Sequence, residues 1–185
     1  LSVISDKIGP VEENNIYGDF SYTLKLGGDH KLALGLKAGL TLHNVALNSR
    51  IASTLPDPTD GVFGADVSNS YFNFGTGAFY YTNKYYLGLS VPNMLKATHL
   101  DFNGRSYGNE ASHYFLTGGY VFDVSQNVKF KPFFMAKSSF EAPASLDVST
   151  NFMFKDKFEI GATYRLEDSF GAMVNYAVTP SLKIG

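Results

Sequence analysis

A chain of 185 residues with 44% hydrophobic and 17% charged residues can bury one substantial core, which excludes intrinsic disorder and low complexity. Its net charge of −2 leaves no basic footprint for nucleic acid, and the absence of cysteine excludes disulfides and thiolate metal sites. Aromatic residues reach 15%, all Tyr and Phe, beside 18 glycines, a mixture that suits strands carrying rings at their rims and glycine where the wall is crowded or bent.

Leu1 to Lys7 reads as half a strand, closed by the turn-rich run Gly9-Pro10-Val11-Glu12-Glu13-Asn14-Asn15. In the next strand Ile16, Gly18, Phe20, Tyr22, Leu24 and Leu26 alternate with Tyr17, Asp19, Ser21, Thr23 and Lys25, up to the Gly27-Gly28-Asp29-His30 turn. From Lys31 to His43 the pattern is strictest: Leu32, Leu34, Leu36, Ala38, Leu40 and Leu42 alternate with Lys31, Ala33, Gly35, Lys37, Gly39, Thr41 and His43. Period two puts a purely aliphatic face on one side of the strand, and that face must lie against lipid or a second sheet. The run is slightly longer than the roughly 9 to 11 tilted residues that cross a hydrocarbon layer. A helical reading through Gly35-x-x-x-Gly39 fails, since a spanning helix needs about 20 apolar residues and Lys37 interrupts the run.

Asn44 to Asp66, with Pro56, Pro58, Gly61 and Gly64, reads as a long surface loop. Strands at Ser70 to Tyr81 and Tyr85 to Asn93 are joined by Thr82-Asn83-Lys84, and Tyr80, Tyr81, Tyr85 and Tyr86 around that turn resemble an aromatic girdle. A second long loop without its own periodicity runs from Lys96 to Ser112, before the strand Tyr114 to Asp123 and the Ser125-Gln126-Asn127 turn. Val128 to Lys137 is a strand in which Pro132 predicts a bulge or irregular pairing. Leu146 to Phe154, Phe158 to Leu166 and Phe170 to Val178 alternate cleanly, and Thr179-Pro180 opens a last partial strand.

Short connections at Gly27, Thr82, Ser125, Lys155 and Thr179 alternate with connections near Gly9, Asn44, Lys96, Phe140 and Glu167, most of them longer and two much longer. In a meander alternate connections emerge at one end, so short turns occupy one end and long loops the other, as in outer-membrane barrels. The fold class is therefore all-β, an antiparallel up-and-down transmembrane β-barrel of the outer-membrane type, with about nine complete strands plus two partial ones. Residues 1–185 form a single barrel domain, expected to be a fragment truncated at both ends. The rival is a soluble lipocalin-like barrel or sandwich, whose apolar face would point inward.

On this register Leu34, Leu36, Leu40, Val148, Ile160 and Val174 face lipid, and Lys37, Asp147, Glu159 and Asn175 face the interior. The interior charges Lys37, Lys129, Lys131, Glu159 and Arg165 either line an aqueous pathway or pair with one another. Leu47, Ile51, Leu55, Val62, Phe63, Leu100, Phe102 and Tyr107, apolar residues of the two long loops, either dock a partner or fold inward as a plug. Catalysis has no candidate: His30, His43, His99 and His113 lack metal spacing, Asp57, Asp60, Gly61 and Asp66 do not fit a calcium loop, and no serine sits in a G-x-S-x-G elbow. No cofactor and no enzymatic activity are expected.

The segments Ser2-Val3-Ile4-Ser5-Asp6-Lys7-Ile8-Gly9-Pro10, Tyr22 to Leu42 and Gly88-Leu89-Ser90-Val91-Pro92-Asn93-Met94-Leu95 carry a likeness that extends over essentially the whole chain. The chain resembles the PorP/SprF family of outer-membrane proteins of type IX secretion and gliding motility in Bacteroidetes. That resemblance implies an integral barrel in the bacterial outer membrane that docks, anchors or assists export of a secreted surface protein or adhesin. It implies partners in the periplasmic secretion and motility apparatus, and further chain at both ends. The alternative function is a passive channel or porin for small solutes.

Overall fold

The structure is a computed structural model. It describes residues 1–46, 66–95, 98–102, 105–109, 112–139, 142–179 and 181–185, with the backbone alone at 67, 98–102, 105–109 and 142. Among the described residues there are strands and no helix: β1 (Ser2–Ile8), β2 (Val11–Gly27), β3 (His30–Val45), β4 (Val67–Tyr81), β5 (Tyr85–Val91), β6 (Thr98–Phe102), β7 (Arg105–Asn109), β8 (His113–Tyr120), β9 (Phe122–Ser125), β10 (Val128–Ser139), β11 (Ala142–Phe154), β12 (Phe158–Arg165), β13 (Ser169–Thr179) and β14 (Leu182–Ile184). The fold is all-β. Its main sheet has 12 strands in the order β1-β2-β3-β4-β5-β8-β10-β11-β12-β13-β14, with β9 on β10, while β6 and β7 make a separate pair. Neighbours on the path are successive in the chain apart from the β6–β7 insertion and the short β9, which follows β8 and also pairs with β10, so the sheet is the antiparallel meander that the alternation predicts.

Contacts group the chain into two units, one of Leu1–Ser21, Gly35–Thr76 and Pro92–Ser112, the other of Tyr22–Leu34, Gly77–Val91 and His113–Gly185. In the first, β1 pairs with β2 from Ser2↔Tyr17 to Ile8↔Val11, around a turn of Gly9 and Pro10 only. Gly9 sits at φ 60°, where a side chain would be strained. Val11 to Asn15 are thus strand, where the sequence reading has a turn. They were misread because polarity marks a turn only when a strand's covered face is apolar. Here Asn15 is buried, with its Nδ2 donating to Glu13 Oε1 at 2.7 Å.

In the second unit the ladders run from β5 through β8, β10, β11, β12 and β13 to β14. Ser139 stands opposite Ala142 and Arg165 opposite Ser169, so the much longer connections are those following β3 and β5. Pro132 keeps register with Thr150 of β11, and the predicted irregularity falls on its other side. There β8 pairs with Phe133 to Ser139, β9 with Val128 to Phe130, and the strand breaks between them. Proline offers no N–H to that side; on the β5 side of the break the Val121 N–H donates to the Lys84 carbonyl at 2.7 Å.

The connection from Lys96 to Ser112 is a second correction. It carries its own hairpin, with Leu100 opposite Tyr107 and Phe102 opposite Arg105. Asn103-Gly104 stands between Phe102 and Arg105 in the sequence, and that dipeptide between apolar alternation is a strong short-range hairpin signal.

Candidate functional site

Burial in this sheet is inverted. Among the described residues Val45 is the one buried apolar side chain, whereas Asn15, His43, Asn73, Ser139, Asp147, Ser149 and Asn151 are all buried. Large apolar residues lie in the open: Phe20 is 67% exposed, Phe72 67% and Phe170 88%. A soluble sandwich hides its apolar face, and large apolar side chains left open along one face of the strands in each unit mark faces covered by something other than water.

The covered face of the second unit is a wall of paired polar groups. Arg165 makes a two-pronged contact with Asp147, Nε to Oδ1 at 2.6 Å and Nη2 to Oδ2 at 3.0 Å, a geometry only the planar guanidinium provides. Lys131 Nζ lies 2.6 Å from Glu159 Oε1, which also accepts from Asn151 Nδ2 at 3.1 Å. Between these pairs Ser149 and Thr163 join hydroxyls at 2.8 Å. The register makes this possible, because Asp147↔Arg165, Ser149↔Thr163 and Asn151↔Gly161 are directly opposed on β11 and β12. Gly161 leaves the space that the Asn151 side chain fills, since a Cβ there would strike it. Asn175 on β13 donates to Met173 Sδ at 3.2 Å.

The first unit has a smaller polar cluster. The Tyr17 hydroxyl donates to Asn15 Oδ1 at 3.0 Å, Thr41 donates to the same oxygen, and Lys37 Nζ sits 3.7 Å above the Tyr17 ring. Tyr17 fits because its ring lies directly on Gly39, where a Cβ would collide with it.

At the short turns of the second unit, rings run from strand to strand: His30, Tyr80, Tyr85, Tyr120, Phe122, Phe130 and Phe152, with successive centroids 4.3 to 6.0 Å apart. They lie on the apolar face beside Leu87, Leu116 and Val148. Of the four tyrosines singled out from sequence, Tyr80 and Tyr85 belong to this belt, while Tyr81 and Tyr86 flank Phe79 on the opposite face. The turns are also tied together. Asp29 accepts from the Asn83 N–H at 3.2 Å, Lys84 meets Asp123 at 3.3 Å, and Lys129 meets Asp156 at 2.6 Å.

Leu34, Leu36, Val148, Ile160 and Val174 lie exposed on the apolar face and Leu40 is half-buried there, while Lys37, Asp147, Glu159 and Asn175 lie on the covered polar face. Leu47, Ile51, Leu55, Val62 and Phe63 lie outside the described residues. Leu100, Phe102 and Tyr107 fall in β6 and β7, whose backbone alone is described. Sequence reasoning placed Asn151 on the polar face and missed Asn15 and Asn73, the other buried amides there. Their signal was placement on the alternate positions opposite the apolar residues. No group of three metal-ligating side chains occurs among the described residues.

An antiparallel β-meander with polar side chains covered and apolar ones exposed belongs to the class of β-sheet membrane proteins. The family described as "Type IX secretion system membrane protein PorP/SprF" matches residues 1–185, and the chain belongs to that family. A search of curated proteins returns no match.

Proposed function

We propose that the chain is the barrel wall of a non-enzymatic outer-membrane protein that docks, anchors or assists export of a secreted surface protein through the type IX apparatus. The observation that carries the membrane half of this reading is the inverted burial, with Asp147 and Asn151 covered while Phe20 and Phe170 lie open. The apolar face meets lipid and the polar face lines the interior, so strands of 15 to 17 residues such as β2, β3 and β4 cross the bilayer and project beyond it. Membership of a secretion-system family supports the partner half.

An anchor is favoured over a passive pore because the interior charges engage one another. Lys131 with Glu159 and Arg165 with Asp147 neutralise each other across the wall instead of standing free along a pathway. The test is to purify the intact protein from its native membrane in mild detergent and identify what stays bound. Wild-type protein is expected to retain a large surface protein, and a variant lacking residues 51–64 to lose it. Steady, large, nonselective conductance of the wild type in planar bilayers would contradict the anchor reading.

A further inference from the structure

The chain leaves β5 under restraint. Asn73 on β4 is 6% exposed, and its Oδ1 accepts from the backbone N–H groups of Met94 at 3.1 Å and Leu95 at 3.2 Å, and from Phe74 at 2.8 Å. Its Nδ2 donates to the Leu95 carbonyl at 3.4 Å, and the Met94 N–H also donates to the Phe74 carbonyl at 2.8 Å. Two positions along β4, Gly75 is buried beneath the backbone of Pro92, and a Cβ there would collide with the Pro92 carbonyl. Asn73 and Gly75 lie on the face of β4 opposite the exposed Phe72 and Phe74, so Pro92 to Leu95 folds over the polar face. Ser112, where the chain returns toward β8, donates to the Met94 carbonyl at 3.3 Å and closes the base of the connection.

We propose that Pro92–Leu95 is a strap, seated on Gly75 and latched by Asn73, that closes the polar face of β4 at the long-connection end. One amide side chain satisfying three backbone groups of a crossing segment is a dedicated holder, because an unpaired buried amide at that place costs free energy. Pro92 has no N–H to extend the β5–β8 ladder beyond Ser90 opposite Phe115, which sets the point where the chain departs from β8. The strap rests on the barrel reading. Within it, the strap holds the chain over the polar face where β5 ends, and its release would open the polar interior.

The experiment uses the full-length protein in lipid, with two readouts: heat-dependent gel mobility, which reports an intact barrel, and conductance in planar bilayers. Asn73→Ala removes the latch and Gly75→Val wedges the seat. Each is expected to keep barrel mobility and to raise the conducting fraction on the order of tenfold, the effect of losing about one net hydrogen bond. Trypsin is expected to cut these variants, and not the wild type, within the connection that carries Lys96 and Arg105. Since the chain has no cysteine, Asn73→Cys combined with Leu95→Cys can be bridged by a short thiol crosslinker, and the bridged protein is expected to return to wild-type conductance. If Gly75→Val fails to fold, Asn73→Ala and the bridged pair still decide. Intact barrel mobility with unchanged conductance and unchanged cleavage in Asn73→Ala overturns the strap. Wild-type protein without heat-dependent mobility overturns the barrel itself.

Discussion

Ile160 and Thr163 stand on the same strand, β12, with opposite surroundings: Ile160 is 44% exposed among apolar neighbours, and Thr163 bonds to Ser149 on the covered face. A cation on a lipid-facing position near the midplane costs about 2–4 kcal/mol, and an interior position tolerates it. On the proposed barrel reading, Ile160→Arg is expected to reduce assembly in the membrane far more than Thr163→Arg, scored by heat-dependent gel mobility of membrane fractions. Equal effects would overturn the register. Lys131 and Glu159 offer a second test at this scale. Lys131→Met leaves Glu159 with Asn151 as its remaining partner and is expected to cost about 1–3 kcal/mol in urea unfolding from vesicles. Adding Glu159→Gln should return part of that loss, because the stranded charge is gone; a purely additive double variant would mean the pair is not coupled.

The alternation of aliphatic and small or charged residues from Lys31 to His43 was legible because side chains in a strand alternate whatever solvent surrounds the sheet. What the alternation could not reveal was strand length at the polar ends. Val11 to Asn15 looked like a turn because Glu and Asn crowd there, yet in a sheet with a polar covered side such residues belong to the strand. The β6–β7 hairpin was hidden for a different reason: its Asn103-Gly104 signal sat in a segment read as loop on length alone. The strap was beyond sequence altogether, since Asn73 and Leu95 meet only after β4 and β5 fold back on each other. A further consequence belongs to the β11–β12 hairpin, whose turn places Lys155 at φ 51° and Asp156 at φ 55°. The left-handed region costs a residue with a Cβ roughly 1–2 kcal/mol, so Lys155→Gly is expected to raise stability by about 1 kcal/mol. Asp156 is left in place for its bond to Lys129. Unchanged or lowered stability in urea titration would show that the turn is not strained.

At the scale of the whole molecule, the apolar exposed face and the polar covered face are one statement about solvent, and family membership names the setting as a secretion-system membrane protein. The aromatic belt and the bonded turns give the short-turn end of the second unit a rim of rings held by hydrogen bonds and ion pairs. The central claim is that the face bearing Ile160 and Val174 meets lipid and the face bearing Glu159 and Asn175 does not. The absence of cysteine allows it to be measured residue by residue: nitroxide labels at single cysteines replacing Glu159, Ile160, Ala162, Thr163, Val174 and Asn175, in protein reconstituted into vesicles, read for collision with oxygen dissolved in the bilayer. High collision frequency at Ile160, Ala162 and Val174 with low frequency at Glu159, Thr163 and Asn175 is the predicted result. The inverse pattern, or equal frequencies on both faces, would contradict the account.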